Sequence, residues 1–297
     1  MESSDASIGR ATALIVVSAL SFGSISVLTV LTTSAGIPLL TIMAWRYSLG
    51  ALMLVPAARP ATISSIPKRR IIQLLLIGGF GQALITYVSL YSLNYLPVGP
   101  LAFLFYTYPA WVALLAALRR TERLTLVRTV ALLLALSGVT VMVGAPVEKL
   151  NSVGVTLALT SALLYSVYLP ALEHVQEGVP AMFATFLLIF GAAISFVIAA
   201  LSAGQLFFPR DIAVWTNVVL LALVSSVIAF SALIKGLSVL GPVRTAIIAT
   251  VEPFFTAILG VLVLRNQLTA ATIIGGIVIA AAILVIELSS TRMPATA

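Results

Sequence analysis

The sequence has no cysteine, a single histidine and only nine acidic residues among 297. Without thiols there is no disulfide, no thiolate metal site and no thiol nucleophile. One histidine, His174, cannot supply a histidine cluster for a metal. There is also no HExxH, GxSxG, Walker loop or intramembrane Asp pair, so an enzyme, intramembrane hydrolases included, is not expected, and no cofactor or metal is either. Charge is the scarcest property of all. Asp, Glu, Lys and Arg make up 8% of the chain, against about a quarter in a water-soluble domain. Long polar connections are missing too, which leaves no room for a soluble domain.

What fills the chain is hydrocarbon: 61% of residues are hydrophobic and the mean hydropathy is +1.18. That composition belongs to a polytopic membrane protein. The formal charge of +7, on a chain with so little polar surface, fits loops facing an anionic lipid leaflet and not a nucleic-acid partner. About 20 apolar residues are needed to cross the hydrocarbon as a helix. Ten such runs can be marked, at 10 to 33, 38 to 57, 70 to 94, 97 to 118, 125 to 145, 151 to 173, 180 to 203, 212 to 235, 241 to 264 and 269 to 289. The first follows Arg10 and leads straight into further spans, so it is read as a retained helix and not a cleaved leader. An even number of spans puts both termini on one side. With that side cytoplasmic, Arg10, Arg59, Lys68, Arg69, Arg70, Arg119, Arg120, Arg123, Arg128, Lys235, Arg244 and Arg292 lie inside. Only Lys149, Arg210 and Arg265 lie outside, and Arg46 is left within a span. The positive-inside rule therefore predicts cytoplasmic termini.

The stretch from Leu93 to Thr125, LNYLPVGPLAFLFYTYPAWVALLAALRRTERLT, returns 144 positions later as LSVLGPVRTAIIATVEPFFTAILGVLVLRNQLT, from Leu237 to Thr269. Leu93, Leu96, Ala102, Pro109, Ala113, Leu115, Leu118, Leu124 and Thr125 meet identical residues. A repeat of about half the chain predicts two related units, 1–146 and 147–297, of five spans each. Five is odd, so the two must sit inverted relative to one another, and the space between inverted halves is where a transporter holds its substrate.

Pro109, Pro170 and Pro253 fall inside spans 4, 6 and 9. Each removes an N–H and frees the carbonyl one turn back, at Phe105, Ser166 and Ala249. Such carbonyls need a protein, hydroxyl or water partner, and because Pro109 and Pro253 are repeat mates, a paired break near mid-membrane is expected. Charge inside a span is a functional candidate by default. Glu252 sits mid-span beside Pro253, on one face with Thr245, Ala249, Thr256 and Gly260, while its repeat mate is Tyr108. It reads as a proton-coupling site or an anchor for a substrate amine, with a neutral hydrogen-bonded carboxyl as the plainer alternative. Arg46, in span 2, lies at a comparable depth and could pair with it, or it could cap carbonyls or snorkel outward.

Span 3 carries Gly78, Gln82, Thr86 and Ser89 on one face and Tyr87, Tyr91 and Tyr95 on another, and one of the two should meet substrate or water. Tyr106, Tyr108 and Trp111 lie too deep for an interfacial belt, and with Tyr165 and Tyr168 in span 6 they are candidates for an aromatic pocket. Hydroxyls in spans 1 and 6, Ser18, Ser21, Ser24 and Ser26 among them, suit helix packing first and cavity lining second.

The echoing stretches, the Glu252–Pro253 pair and the Leu-Thr pairs at Leu124/Thr125 and Leu268/Thr269 resemble the drug/metabolite transporter superfamily, in particular its EamA-type exporters. More narrowly, the chain is similar to bacterial exporters of aromatic amino acids. That resemblance implies a basket of ten helices around a central cavity, with spans 4 and 9 in its wall and spans 5 and 10 outside. Its acidic residue after span 4 corresponds to Glu122, whose mate here is Asn266. It also implies a bacterial inner-membrane exporter of Phe, Trp, Tyr or related small metabolites working by alternating access. Broad efflux of amphipathic or cationic compounds stays open, as does a non-transporting scaffold. The expected partners are a small-molecule substrate and membrane lipid, and ten spans suffice for a self-contained monomer.

Overall fold

A computed structural model describes residues 2–58, 63–96, 98–120, 125–143, 150–265 and 269–290. Glu122 and Asn266, with Arg59, Arg123, Lys149 and Arg292, lie outside the described residues. Every regular element among those described is helical, as expected where only a helix satisfies its own backbone without water. In chain order the helices are α1 (Glu2–Ser34), α2 (Leu39–Leu54), α3 (Lys68–Asn94), α4 (Val98–Phe105) and α5 (Tyr108–Leu118). They continue as α6 (Leu126–Val143), α7 (Ser152–Gln176), α8 (Ala181–Ser202), α9 (Ile212–Ala249), α10 (Glu252–Leu264) and α11 (Ala270–Ser290).

Among the described residues seven segments are long and apolar enough to cross a membrane, and Leu126–Val141, Glu252–Val263 and Ala270–Val285 are shorter apolar helices. The run expected at 241 to 264 is divided. Its first part belongs to α9, which breaks at Gly241 with φ 73° and ψ 171°, and its second part is α10. α7, in contrast, runs on through Pro170 without interruption, so of the three expected proline breaks only two occur.

The first helix of each half crosses into the other. α1 packs along the 229–249 part of α9 and along α10, and α7 packs on α3, α4 and α5. α2 and α8 lie against each other at the centre, whereas α6 and α11 pair at one side. Two bundles meeting face to face, as the repeat alone suggests, are thus replaced by an interlocked arrangement.

Two stretches widen into π-helix, and their starts stand 144 residues apart. Ile77–Gln82 in α3 and Leu221–Ile228 in α9 are π-helical. Each widened turn packs on the helix that follows α1 or α7: the first on α8, the second on α2. The first contact is made by glycine. A Cβ on Gly78 would stand 2.2 Å from the Leu188 carbonyl oxygen, and one on Gly191 would stand 2.3 Å from that of Leu75, so the two backbones touch as small residues allow.

Candidate functional site

Pro109 and Pro253 both do what their ring demands. α4 stops at Phe105 and α5 restarts at Tyr108, while α9 stops at Ala249 and α10 restarts at Glu252, the same bounds displaced by 144. Between them the chain tightens into i→i+3 bonds, Thr107 N to Leu104 O at 3.3 Å and Thr250 N to Ile247 O at 3.2 Å. Hydroxyls reinforce each turn, Thr107 Oγ1 donating to Leu104 O and Thr250 Oγ1 to Ile247 O, both at 2.7 Å. Both prolines are buried in protein.

A cavity of about 130 Å³ lies where the two breaks meet. A single water needs roughly 10–15 Å³ by the same measure, so there is space for a small organic solute. Its wall draws on α1, α3, α4, α5, α7, α9 and α10. Phe105 and Ala249, whose carbonyls the prolines release, both line it. Among the described residues no hydrogen bond is donated to either carbonyl.

Aromatic rings form one side. Tyr108 meets Tyr165 edge-on at 4.7 Å between centroids, Phe105 stands 5.4 Å from Tyr108 and 5.6 Å from Tyr165, and Tyr106 lies 6.0 Å from Tyr108. Phe22 and Phe230, also in the lining, meet at 5.0 Å. Among the described residues Glu252 is the one charged group in the wall, and Tyr106 lies beside it. The first turn of α10 is fixed against α1 by Thr256 Oγ1, which donates to Gly23 O at 3.2 Å. A side chain at Gly23 would meet Thr256 N at 3.2 Å and Glu252 O at 3.3 Å, so glycine is what lets the two backbones close there.

Arg46 does not pair with Glu252. Buried to 1% exposure, it donates from Nε to Ser226 Oγ and from Nη2 to Ser225 O, each at 3.0 Å, on the π-helical stretch of α9. Ser225 Oγ in turn meets Ser24 Oγ of α1 at 2.8 Å. The expected ion pair is replaced by capping of the widened turn: a π-helical stretch turns a serine pair toward α2, and that pair reaches the guanidinium first.

Gln82, Thr86, Tyr106, Tyr108, Tyr165 and Glu252 are brought together around the cavity. Four other candidates stand away from it. Tyr87 and Tyr91 stack at 5.4 Å on the opposite face of α3, with Tyr95 at 6.0 Å beyond. Trp111 points outward, 37% exposed. Tyr168 is buried next to Tyr165 at 5.7 Å but lies behind it, its ring against Gly81. Gly78, assigned to the Gln82 face, is turned onto α8 because the π stretch takes up an extra residue between it and Thr86. Sequence reasoning underweighted α1. Ser18, Phe22 and Ser26 all line the cavity, and the hydroxyls among them were the available signal. No group of three His, Cys, Asp or Glu able to hold a metal occurs among the described residues.

The sequence pattern of the EamA-like transporter family matches residues 9–144 and matches again over 152–288. A crystal structure described only as that of a protein superposes with a TM-score of 0.77 at 21% identity, covering 96% of this chain and 98% of the other. At that identity the likeness concerns the fold. No curated protein matches the sequence.

Proposed function

Because the chain belongs to the EamA-like transporter family, a group of membrane transporters, we propose that it exports small amino-bearing solutes from the cytoplasm, with the aromatic amino acids Phe, Trp and Tyr and related metabolites as first candidates. The observation that supports this reading is the aromatic cavity at the paired breaks, where six rings and one carboxyl line a space of solute size. In this proposal ten spans form two inverted five-span halves in a bacterial inner membrane, with both termini cytoplasmic. The substrate sits between them, and the halves rock about the broken helices to open the cavity to each side in turn. The chain works as a monomer. Efflux of amphipathic or cationic compounds is the second reading, favoured by Glu252 being the one charged residue of the wall among those described.

The test is counterflow in proteoliposomes holding purified protein and a panel of amino acids, run with and without a pH gradient. Saturable exchange of Phe, Trp or Tyr is expected. A protein that moves no member of the panel, and no organic cation either, is not the exporter described.

A further inference from the structure

We propose that Ser26 and Ser89 form an uncharged hydrogen-bonding subsite of the cavity, which selects aromatic solutes whose ring carries an O–H or N–H, as tyrosine and tryptophan do and phenylalanine does not. The inference rests on the transporter reading and concerns the ring end of the solute.

A serine inside an apolar helix ordinarily returns its proton to its own backbone. Ser24, Ser137, Ser161 and Ser166 do so, each donating to the carbonyl three residues back at 2.7 or 2.8 Å. Ser26 and Ser89 do not. Both are half-buried in the cavity wall, and among the described residues neither hydroxyl has a hydrogen-bond partner. Ser89 takes part only through its carbonyl, which accepts from Ser92 Oγ at 2.6 Å. The other aliphatic hydroxyls of the wall are already committed or closed off. Thr86 Oγ1 accepts from Gln82 Nε2 at 2.8 Å and meets the Tyr47 hydroxyl at 3.2 Å. Thr256 Oγ1 donates to Gly23 O and Glu252 O at 3.2 and 3.1 Å, and Ser18 Oγ is sealed within protein. A hydroxyl left unpaired away from water is costly, so two open ones in the same wall call for an occupant that bonds to them.

The pair reaches the space from different walls. Ser26 lies on α1, which packs on α9 and α10 of the second half, and Ser89 lies on α3 of the first. Ser26 is three residues beyond Gly23, whose carbonyl is tied to Thr256, so at 1.5 Å per residue it stands about 4.5 Å along α1 from the level of the second break. A serine hydroxyl both donates and accepts. A phenol O–H can donate to one serine and accept from the other, and an indole N–H can donate to either. An unsubstituted phenyl ring leaves both unpaired, and a site built for a polar group rejects the analogue without it for that reason.

Tyrosine, phenylalanine and 4-methylphenylalanine, the last close to tyrosine in size but without its hydroxyl, are titrated calorimetrically into the full chain in nanodiscs. 4-Hydroxyphenylacetamide and 4-methylphenylacetamide, which lack the amino-acid head, are titrated beside them. Tyrosine should bind at least about ten-fold more tightly than 4-methylphenylalanine, the worth of one to two neutral hydrogen bonds. Ser26→Ala and Ser89→Ala should each lower that ratio, and together bring it to about two-fold or less, with folding followed by thermal melting. Equal binding of tyrosine and 4-methylphenylalanine, a ratio that survives the double substitution, or a ratio abolished by Tyr108→Phe instead would each overturn the proposal. Counterflow separates it from the exporter reading. Flux of aromatic amino acids with no preference for the hydroxyl leaves the exporter and removes the subsite. Hydroxyl-dependent binding of the acetamide without flux of any amino acid leaves the subsite and removes the exporter, and a chain that binds no probe loses both.

Discussion

At Tyr106–Thr107 and at Thr250–Val251 the backbone breaks in the same way, 144 residues apart, yet the side chains delivered to the cavity differ. The first break presents Tyr106 and Tyr108, the second Ala249 and Glu252. The π-helical stretches repeat the contrast. Ile77–Gln82 packs through glycine onto α8, whereas Leu221–Ile228 offers Ser225 and Ser226 to Arg46. Proline and local backbone geometry therefore keep the two breaks alike, while only the second carries a charged side chain. In the proposed transport cycle both breaks move, but a single solute needs only one charged contact, and an asymmetric site suits that.

The sharpest way to break the comparison is to give the glycine contact the side chain its counterpart already has. Gly78 corresponds to Ala222, which is fully buried with its methyl in place. At Gly78 the same methyl would collide with the Leu188 backbone, which cannot step aside as a flexible side chain could. Gly78→Ala should cost about 3 kcal/mol, at the upper end for overpacking, and Ala222→Gly about 1 kcal/mol. Melting temperatures in detergent check this, and equal shifts for the two would mean that the π stretches are packed alike. Next in size is the break itself. Glu252→Gln should lower flux about ten-fold or more, the loss expected when a charge-assisted contact goes, whereas Tyr108→Phe keeps the ring and should stay within about two-fold. Comparable losses would make the second half chemically ordinary.

The breaks were legible because proline acts locally and the repeat supplied the pairing. Glu252 was legible because an acid in an apolar run stands out. The π stretches left no trace, since one extra residue in a largely apolar run shifts too few polar positions to be seen. That hidden residue also explains why the polar face of α3 was only partly assigned: Gln82, Thr86 and Ser89 line the cavity, but Gly78 does not. Interlocking was equally invisible, because composition says that α1 is buried somewhere but not against which half. The Arg46–Glu252 pair failed for a related reason. Depth along the membrane can be counted from sequence, but the direction in which a helix turns its side chain is set by its neighbours.

Removing acceptor or charge at the second π stretch separates their roles. Ser226→Ala leaves the Arg46 Nε buried without its partner, and about 1 to 2 kcal/mol should be lost. Arg46→Met removes the charge together with its need for partners, and should cost less than Ser226→Ala, because an apolar replacement of a buried ion is often neutral. At the equivalent place in the first half, Gln82→Met gives up one bond to Thr86 at 2.8 Å and should cost under about 1 kcal/mol. Thermal melts of the three variants, with Arg46→Met the least stable, would mean that the cation itself holds the turn together.

The smallest effect expected is at Trp111, and it distinguishes aromatic content from aromatic placement. Trp111 lies one turn beyond Tyr108 on α5. Three steps of 100° along an α-helix turn it about 60° away from Tyr108, and it emerges at the surface, 37% exposed. Tyr165 comes from α7 and meets Tyr108 edge-on at 4.7 Å inside the cavity wall. An edge-to-face pair is worth roughly 0.5–1.5 kcal/mol beyond its buried area, so Tyr165→Ala should reduce substrate affinity about three-fold or more. Trp111→Ala should leave it within about two-fold, because no surface that meets the solute is lost. Michaelis constants from counterflow measure both. If Trp111→Ala is the more damaging of the two, the solute does not rest on the Tyr108–Tyr165 wall, and the aromatic surface that matters lies on the outer face of α5.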